Sequence, residues 1–324
     1  TLHGATPAAQ GVGLARKAGC DLAIQWLVEG HIDSEWLCCT DADAVLPLDY
    51  HAQLGAAGAA AVGAVFPFRH VPGGDGDNDR ATALYELRLH HHVLGLEYAG
   101  SPYAHHSLGS CLAVRADAYT QVRGFPKRAG AEDFYLLNKL AKLGPVARLT
   151  GSPIGIRSRL SSRVPFGTGP AAQSIASAEH PETAPIFYHP QCYAALRALL
   201  QGLDDLAADP GRDIVRLMQQ QGLAPRLAET AHTALLQMGL AKALDHCGRQ
   251  GTTAARLQRY FHQWFDGFLG LKFVHALRDN GWPMQSLAGL EALEPSLWPT
   301  SNRDIEGLRS DIARHWGWRQ AAGR

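Results

Sequence analysis

The chain has 324 residues, 46% of them hydrophobic, and its thirty Lys and Arg balance thirty Asp and Glu for a formal net charge of zero. That length can bury the core of one large domain or two, and the even charge argues against a general nucleic-acid or anionic-membrane surface. The longest small-apolar run, Leu54 to Phe66, is mostly Ala and Gly and is too short and too weakly hydrophobic for a membrane span.

In chain order, residues 11 to 30 carry Ala15, Ala18, Leu22 and Trp26 at spacings of three and four, which predicts an amphipathic helix ending near Gly30. Its opening Gly11-Val12-Gly13 is a poor dinucleotide fingerprint, because the third glycine is missing and no strand precedes it in the sequence. Trp36-Leu37-Cys38-Cys39-Thr40 reads as a short buried strand closed by Asp41-Ala42-Asp43. A parallel sheet places its ligands at such a strand end. Two closely spaced carboxylates there suit a divalent cation with hard oxygen ligands, for which diphosphate is the usual co-ligand.

Residues 72 to 80 form a loop by composition, and the helix expected over Ala81 to Leu96 contains His90-His91-His92. Three consecutive histidines point in different directions on a helix and cannot all hold one ion, so they read as partly exposed. His105-His106 precede a strand-like run from Gly109 to Arg115, and Gly124-Phe125-Pro126 makes a turn. Glu132-Asp133 then opens a helix with Leu136, Leu137, Leu140 and Leu143 on one side, and acids in a first turn also suit the helix dipole. Residues 157 to 169 carry Arg157, Arg159 and Arg163 among hydroxyls and glycines, a basic loop able to close over a diphosphate.

Beyond residue 190 the pattern becomes helical. Leu257, Tyr260, Phe261, Trp264, Phe265, Phe268 and Leu271 form one apolar stripe, and Ile305, Leu308, Ile312 and Trp316 another. A helical subdomain over 191–324 is therefore expected beside an α/β domain over 1–190, with its stripes serving as core or as a docking surface for a protein or a membrane periphery. The six cysteines show no Cys-x-x-Cys spacing and fit small buried hydrophobes in a reducing compartment, so the expected location is cytoplasmic.

The stretches Gly11 to Gly19, Thr40-Asp41-Ala42-Asp43, Gly109 to Arg115 with Gly124-Phe125-Pro126, and Ala131-Glu132-Asp133 together resemble the family 2 glycosyltransferases of the GT-A fold. The likeness covers about residues 10 to 145, under half of the chain. It implies a Rossmann-like mixed α/β sheet flanked by helices. It also implies that the first strands are missing, since this chain enters at the helix after them and Thr1 is not an initiator methionine.

By the same resemblance, Arg16 approaches the donor nucleotide, and Asp43 holds Mn²⁺ or Mg²⁺ with Asp41 on the metal or the donor ribose. His180 or His189 falls where a further metal ligand is found, and the segment of His105-His106 lines the acceptor pocket. Asp133, or Glu132 after it, is the base toward a hydroxyl acceptor, with Arg159 and Arg163 adding positive charge at the diphosphate of the sugar nucleotide. An inverting, non-processive transfer is expected, as Gln-x-x-Arg-Trp of the processive synthases is not found. A retaining transferase, a nucleotidyltransferase and a noncatalytic sugar-nucleotide-binding or scaffold protein are the alternatives.

Overall fold

In the computed structural model, which describes residues 7, 9–159, 168–178, 180–209, 211–250 and 253–319, the chain is α/β with mixed sheets. Its contacts divide it into two units. One comprises Thr1–Leu87, His105–Pro181 and Asn302–Arg324, and the other Arg88–Ala104 and Glu182–Ser301. This grouping differs from the expected division at 190 in three respects: the main break falls between Pro181 and Glu182, the helical unit also takes Arg88–Ala104, and the last segment groups with the sheet unit.

The sheet unit opens with α1 (Gly11–Val28), followed by β1 (Trp36–Cys39), β2 (Ala44–Val45), β3 (Gly63–Val65) and β4 (Phe68–Val71). Next come α2 (Gly76–Tyr98), whose residues divide between the units after Leu87, then β5 (Leu112–Arg115), α3 (Ala116–Gln121) and α4 (Glu132–Leu140). After these lie β6 (Val146–Arg148), β7 (Ile154–Arg157) and α5 (Thr168–Ala176). One sheet has the order β1-β5-β3-β6, and the other β2-β7-β4.

In the first sheet β1 and β3 both run antiparallel to β5, and only β3 and β6 are parallel. The expectation that Asp41-Ala42-Asp43 ends a parallel strand is therefore corrected, since β1 lies at the sheet edge against an antiparallel neighbour. A short apolar run has the same pattern in either direction, so periodicity holds no information about its partner's sense.

Leu37 and Cys39 on one face of β1, Leu112 and Val114 on β5, and Leu136, Leu137 and Leu140 on α4 form the core beneath this sheet. The three α4 leucines are wholly buried, each a contribution of about 2 kcal/mol from apolar burial. Leu143, expected on the same stripe, lies beyond the helix end and is exposed.

The face of α1 also departs from expectation. Leu22 and Trp26 are 43% and 45% exposed, whereas Gly13 and Cys20 are buried. The reason lies at the helix start. Gly13 donates its N–H to the Arg128 carbonyl at 2.9 Å, and a Cβ on Gly13 would stand 2.3 Å from the Pro126 oxygen. This backbone contact turns the helix so that the side with the small residues meets the Pro126–Arg128 segment, which side-chain hydrophobicity alone does not anticipate.

The loop expected over 72–80 is shorter than its composition suggests, because α2 begins at Gly76. Its acids satisfy backbone donors: Asp79 accepts from the N–H groups of Gly73 and Gly74, and Asp75 from that of Asn78. The returning segment carries the helix α13 (Ile305–His315), numbered after the helices of the second unit, and brings Arg309 to 2.6 Å from Glu86. That carboxylate also meets His70 Nδ1 at 2.9 Å, forming an ion cluster sealed from solvent.

The second unit contains α6 (Pro190–Gln201), α7 (Leu203–Ala208), α8 (Ile214–Gln220), α9 (Pro225–Gln237), α10 (Leu240–Gln250), α11 (Ala254–Trp264) and α12 (Gly267–Asp279). Tyr193, Leu196, Leu235, Phe261, Phe265 and Phe273 are among its core residues. The aromatic stripe read as one helix is broken into α11 and α12, where Asp266 caps the second by accepting from the N–H groups of Phe268 and Leu269. The stripe of Ile305, Leu308 and Ile312 lies on α13 (Ile305–His315) and belongs to the sheet unit.

The three consecutive histidines are more enclosed than expected. His90 and His91 are buried, and His92 pairs through Nδ1 with the Tyr193 hydroxyl at 2.8 Å. Burial pushes His91 down to about 3 and His92 down to about 4, so both are neutral core groups. Among the described residues no helix is long and apolar enough to cross a membrane.

Gly13→Ala is expected to lower unfolding free energy by about 1–3 kcal/mol or more, because its contact is with backbone that cannot rotate away. Leu22→Gln and Trp26→Gln should each change it by under about 0.5 kcal/mol. Urea unfolding monitored by circular dichroism measures all three.

Candidate active site

The site is assembled around Arg16 on the second turn of α1. Its side chain is 10% exposed, and its three nitrogens each find an acceptor from a different part of the sheet unit. Nη2 donates to Asp41 Oδ1 at 2.6 Å, Nε to Glu132 Oε1 at 3.0 Å, and Nη1 to the Gly109 carbonyl at 2.5 Å. Burial alone would weaken the guanidinium's charge. Asp41 and then Cys39, Glu132 and Asp133 more than offset it, so the group is held above its ordinary pKa.

Gly109 permits this arrangement, since a Cβ there would come within 2.6 Å of the Arg16 guanidinium. The sequence marks Gly109 only as the start of a strand-like run. Its work as a flat acceptor depends on a residue 93 positions away.

The start of α4 places the acidic pair. Ala131 adopts a left-handed conformation with φ of 57° as the residue before the helix, which brings Glu132 and Asp133 into the first turn together. A non-glycine residue there stores about 1–2 kcal/mol of strain, a cost often found beside functional groups. Glu132 is buried and spends its carboxylate on Arg16.

Asp133 accepts from the Phe134 N–H at 2.7 Å and from the Gly109 N–H. Burial first, and repulsion from Glu132 second, push its carboxyl up to about 6 against the opposing pull of those donors and of Arg16. Such a group gains its charge near neutrality, unlike an ordinary aspartate.

Asp43, two residues after Asp41, is half exposed and pairs with Arg159 at 2.6 Å. The arginine contacts use Oδ1 of Asp41 and Oδ2 of Asp43. Both carboxylates are partly exposed hard oxygen donors, the type that Mg²⁺ or Mn²⁺ takes together with water and phosphate oxygens.

His180 is exposed in the bend after α5, and among the described residues no three His, Cys, Asp or Glu side chains gather as a metal-holding group. It is thus not brought into such a group with Asp41 and Asp43. His189 begins α6 in the other unit, where its Nδ1 accepts from the Gln191 N–H. Arg163 lies outside the described residues.

His105 and His106 are both buried. Burial, with Arg148 nearby, pushes His105 down to about 4. His106 sits edge-on to Phe68 and Trp316, with ring centroids 5.1 and 5.0 Å away. Trp316 and Trp318, which reach His106, come from the returning C-terminal segment, which sequence reading did not connect with these histidines. Their even spacing past a helix end carries no such signal.

No family model matches the chain, and no curated protein or solved structure is significantly similar to it.

Arg16→Met should destabilise the protein by about 3–5 kcal/mol, because it strands the buried Glu132 carboxylate. Adding Glu132→Gln should recover a large part of that loss. Chemical denaturation of the two single variants and the double variant checks the pair, and strict additivity would show that they are not coupled.

Proposed function

We propose that the sheet unit is a glycosyltransferase of the GT-A type, related to family 2, which passes a sugar from a nucleoside-diphosphate sugar to a hydroxyl acceptor with inversion. The observation that carries this reading is the position of Asp133. Its carboxyl, pushed up to about 6, shares Gly109 with the arginine that holds Asp41 of the Asp-x-Asp pair. The four motifs quoted above supply the rest of the support.

In the reaction, the acceptor oxygen attacks the anomeric carbon while the bond from that carbon to the diphosphate oxygen breaks. Asp133 takes the acceptor proton, and a carboxylate whose pKa lies near 6 is better matched to that task at pH 7 than an ordinary one near 4. Glu132 orients Arg16 and is the second choice as base.

Asp43 and Asp41 would hold a divalent cation, Mg²⁺ or Mn²⁺, which when bound would supply Lewis acidity toward the leaving diphosphate. Arg16 fixes Asp41. Arg159, whose side chain is more than half exposed on Asp43, is free to exchange that carboxylate for a phosphate oxygen. Arg163 is assigned the same task from its sequence position. A sugar-nucleotide donor and six unpaired thiols support a cytoplasmic setting for this chemistry.

Turnover of a panel of uridine and guanosine diphosphate sugars, followed as nucleotide release with sugar acceptors, tests the reading. The rate should fall as pH drops through about 6, because protonation removes the base. Asp133→Asn should reduce kcat about 10²–10⁴-fold while Mn²⁺-dependent nucleotide binding persists. Asp43→Ala should abolish that binding, and an inverted anomeric product separates this mechanism from a retaining one. Unchanged turnover in Asp133→Asn would remove its role as base.

A further inference from the structure

The Sγ atoms of Cys20 and Cys39 stand 3.9 Å apart inside the sheet unit. Cys20 lies on α1 four residues after Arg16, on the same side of the helix. Cys39 is the last residue of β1, two before Asp41. No other cysteine pair makes such a contact among the described residues.

We propose that Cys20 and Cys39 are an oxidisable dithiol, a modification site whose disulfide pulls the Arg16 cluster apart. Both residues are nearly enclosed, at 7% and 6% exposure, so the reagent must be as small as a hydroperoxide. The Cys20 thiol is drawn below its ordinary pKa, first by its hydrogen bond with Cys39 and also by the nearby charges of Arg16 and Lys17. That fits Cys20 as the attacking sulfur.

The chemistry closes with hydrogen peroxide as oxidant. The Cys20 sulfur attacks one peroxide oxygen, the O–O bond breaks, and a sulfenic acid and hydroxide form. The Cys39 sulfur then attacks the sulfenic sulfur, expelling hydroxide that leaves as water. In sum two thiols and one peroxide give one disulfide and two waters, with two electrons passing from sulfur to oxygen.

The consequence for the site follows from distance. A disulfide requires about 2.05 Å between sulfurs, so the two must close by roughly 1.9 Å. Whatever part of that closure side-chain rotation about Cα–Cβ does not absorb moves α1 against β1, and Arg16 sits one turn away on the same helix with three bonds of 2.5 to 3.0 Å that have little room to stretch. Release of Arg16 frees Glu132 and removes the contact that fixes Gly109. A resulting loss of donor binding rests on the glycosyltransferase reading, but the disulfide and the opening of the cluster do not.

The full chain is therefore treated with hydrogen peroxide, alkylated without reduction and mapped by mass spectrometry, alongside hydrogen–deuterium exchange of the segment around Gly109. The expected result is a Cys20–Cys39 linked peptide lighter by two hydrogens and restored by dithiothreitol. Exchange near Gly109 should be at least ~10-fold faster in the oxidised protein, since its N–H loses the protection of an ordered cluster. Cys20→Ser and Cys39→Ala should each abolish both changes, and Cys38→Ser should leave them intact. Oxidation at other cysteines only, or no linked peptide, overturns the dithiol. A linked peptide with unchanged exchange overturns its coupling to Arg16. Neither readout uses a nucleotide, so failure of the transferase reading shows separately as absent donor turnover.

Discussion

A guanidinium with almost no access to water is the constraint on which the candidate site depends. Arg16 must be given acceptors in the plane and directions of its own nitrogens, and the fold supplies them from the loop after β1, the turn before β5 and the first turn of α4. Removing a charge like this from water is costly unless each donor is satisfied. The parts that meet at Arg16 are thereby fixed to one another: a side chain on Gly109 would displace it, and loss of Glu132 would leave it short of a partner. Asp133 inherits its environment from this arrangement. It lies beside Glu132 and under the Gly109 N–H, and its altered acidity is a consequence of where Arg16 fastens its neighbours.

The acidic pairs also differ in a way that suits a division of labour. Asp41 and Asp43 are half exposed, and each is paired with an arginine. Glu132 and Asp133 are enclosed at a helix start, where one is committed to an ion pair and the other is pushed toward a neutral-pH transition. Two carboxylate pairs within one unit thereby acquire unlike chemistry from unlike surroundings. The ion cluster of Arg309, Glu86 and His70 has no share in this. It fastens the C-terminal segment to the sheet unit, from which Trp316 and Trp318 reach His106.

Local signals in the sequence revealed the elements and little of their pairing. α1, the Asp-x-Asp turn and α4 each follow from a short pattern, namely helical spacing, an apolar run closed by acids, and acids opening a leucine stripe. The sense of β1 against β5 was not legible because an apolar run reads alike in both directions. The exposed side of α1 was misread because a glycine contact with backbone outranked the hydrophobic pattern. The bond between Arg16 and Glu132 spans 116 positions, and nothing in the composition around either residue announces the other. The break between α11 and α12 had a signal, the capping Asp266, that the aromatic spacing concealed.

Direct titration of the Asp133 side-chain carboxyl by carbon-13 NMR, in the wild type and in Glu132→Gln, bears most closely on the account. The Gln variant keeps an acceptor for Arg16 while deleting the neighbouring negative charge. The account predicts a wild-type pKa of about 6 and a lower value in Glu132→Gln, because repulsion from Glu132 is the second cause of the elevation after burial. An ordinary pKa near 3.8 in both proteins would contradict it and leave Asp133 without the altered acidity on which its proposed role rests.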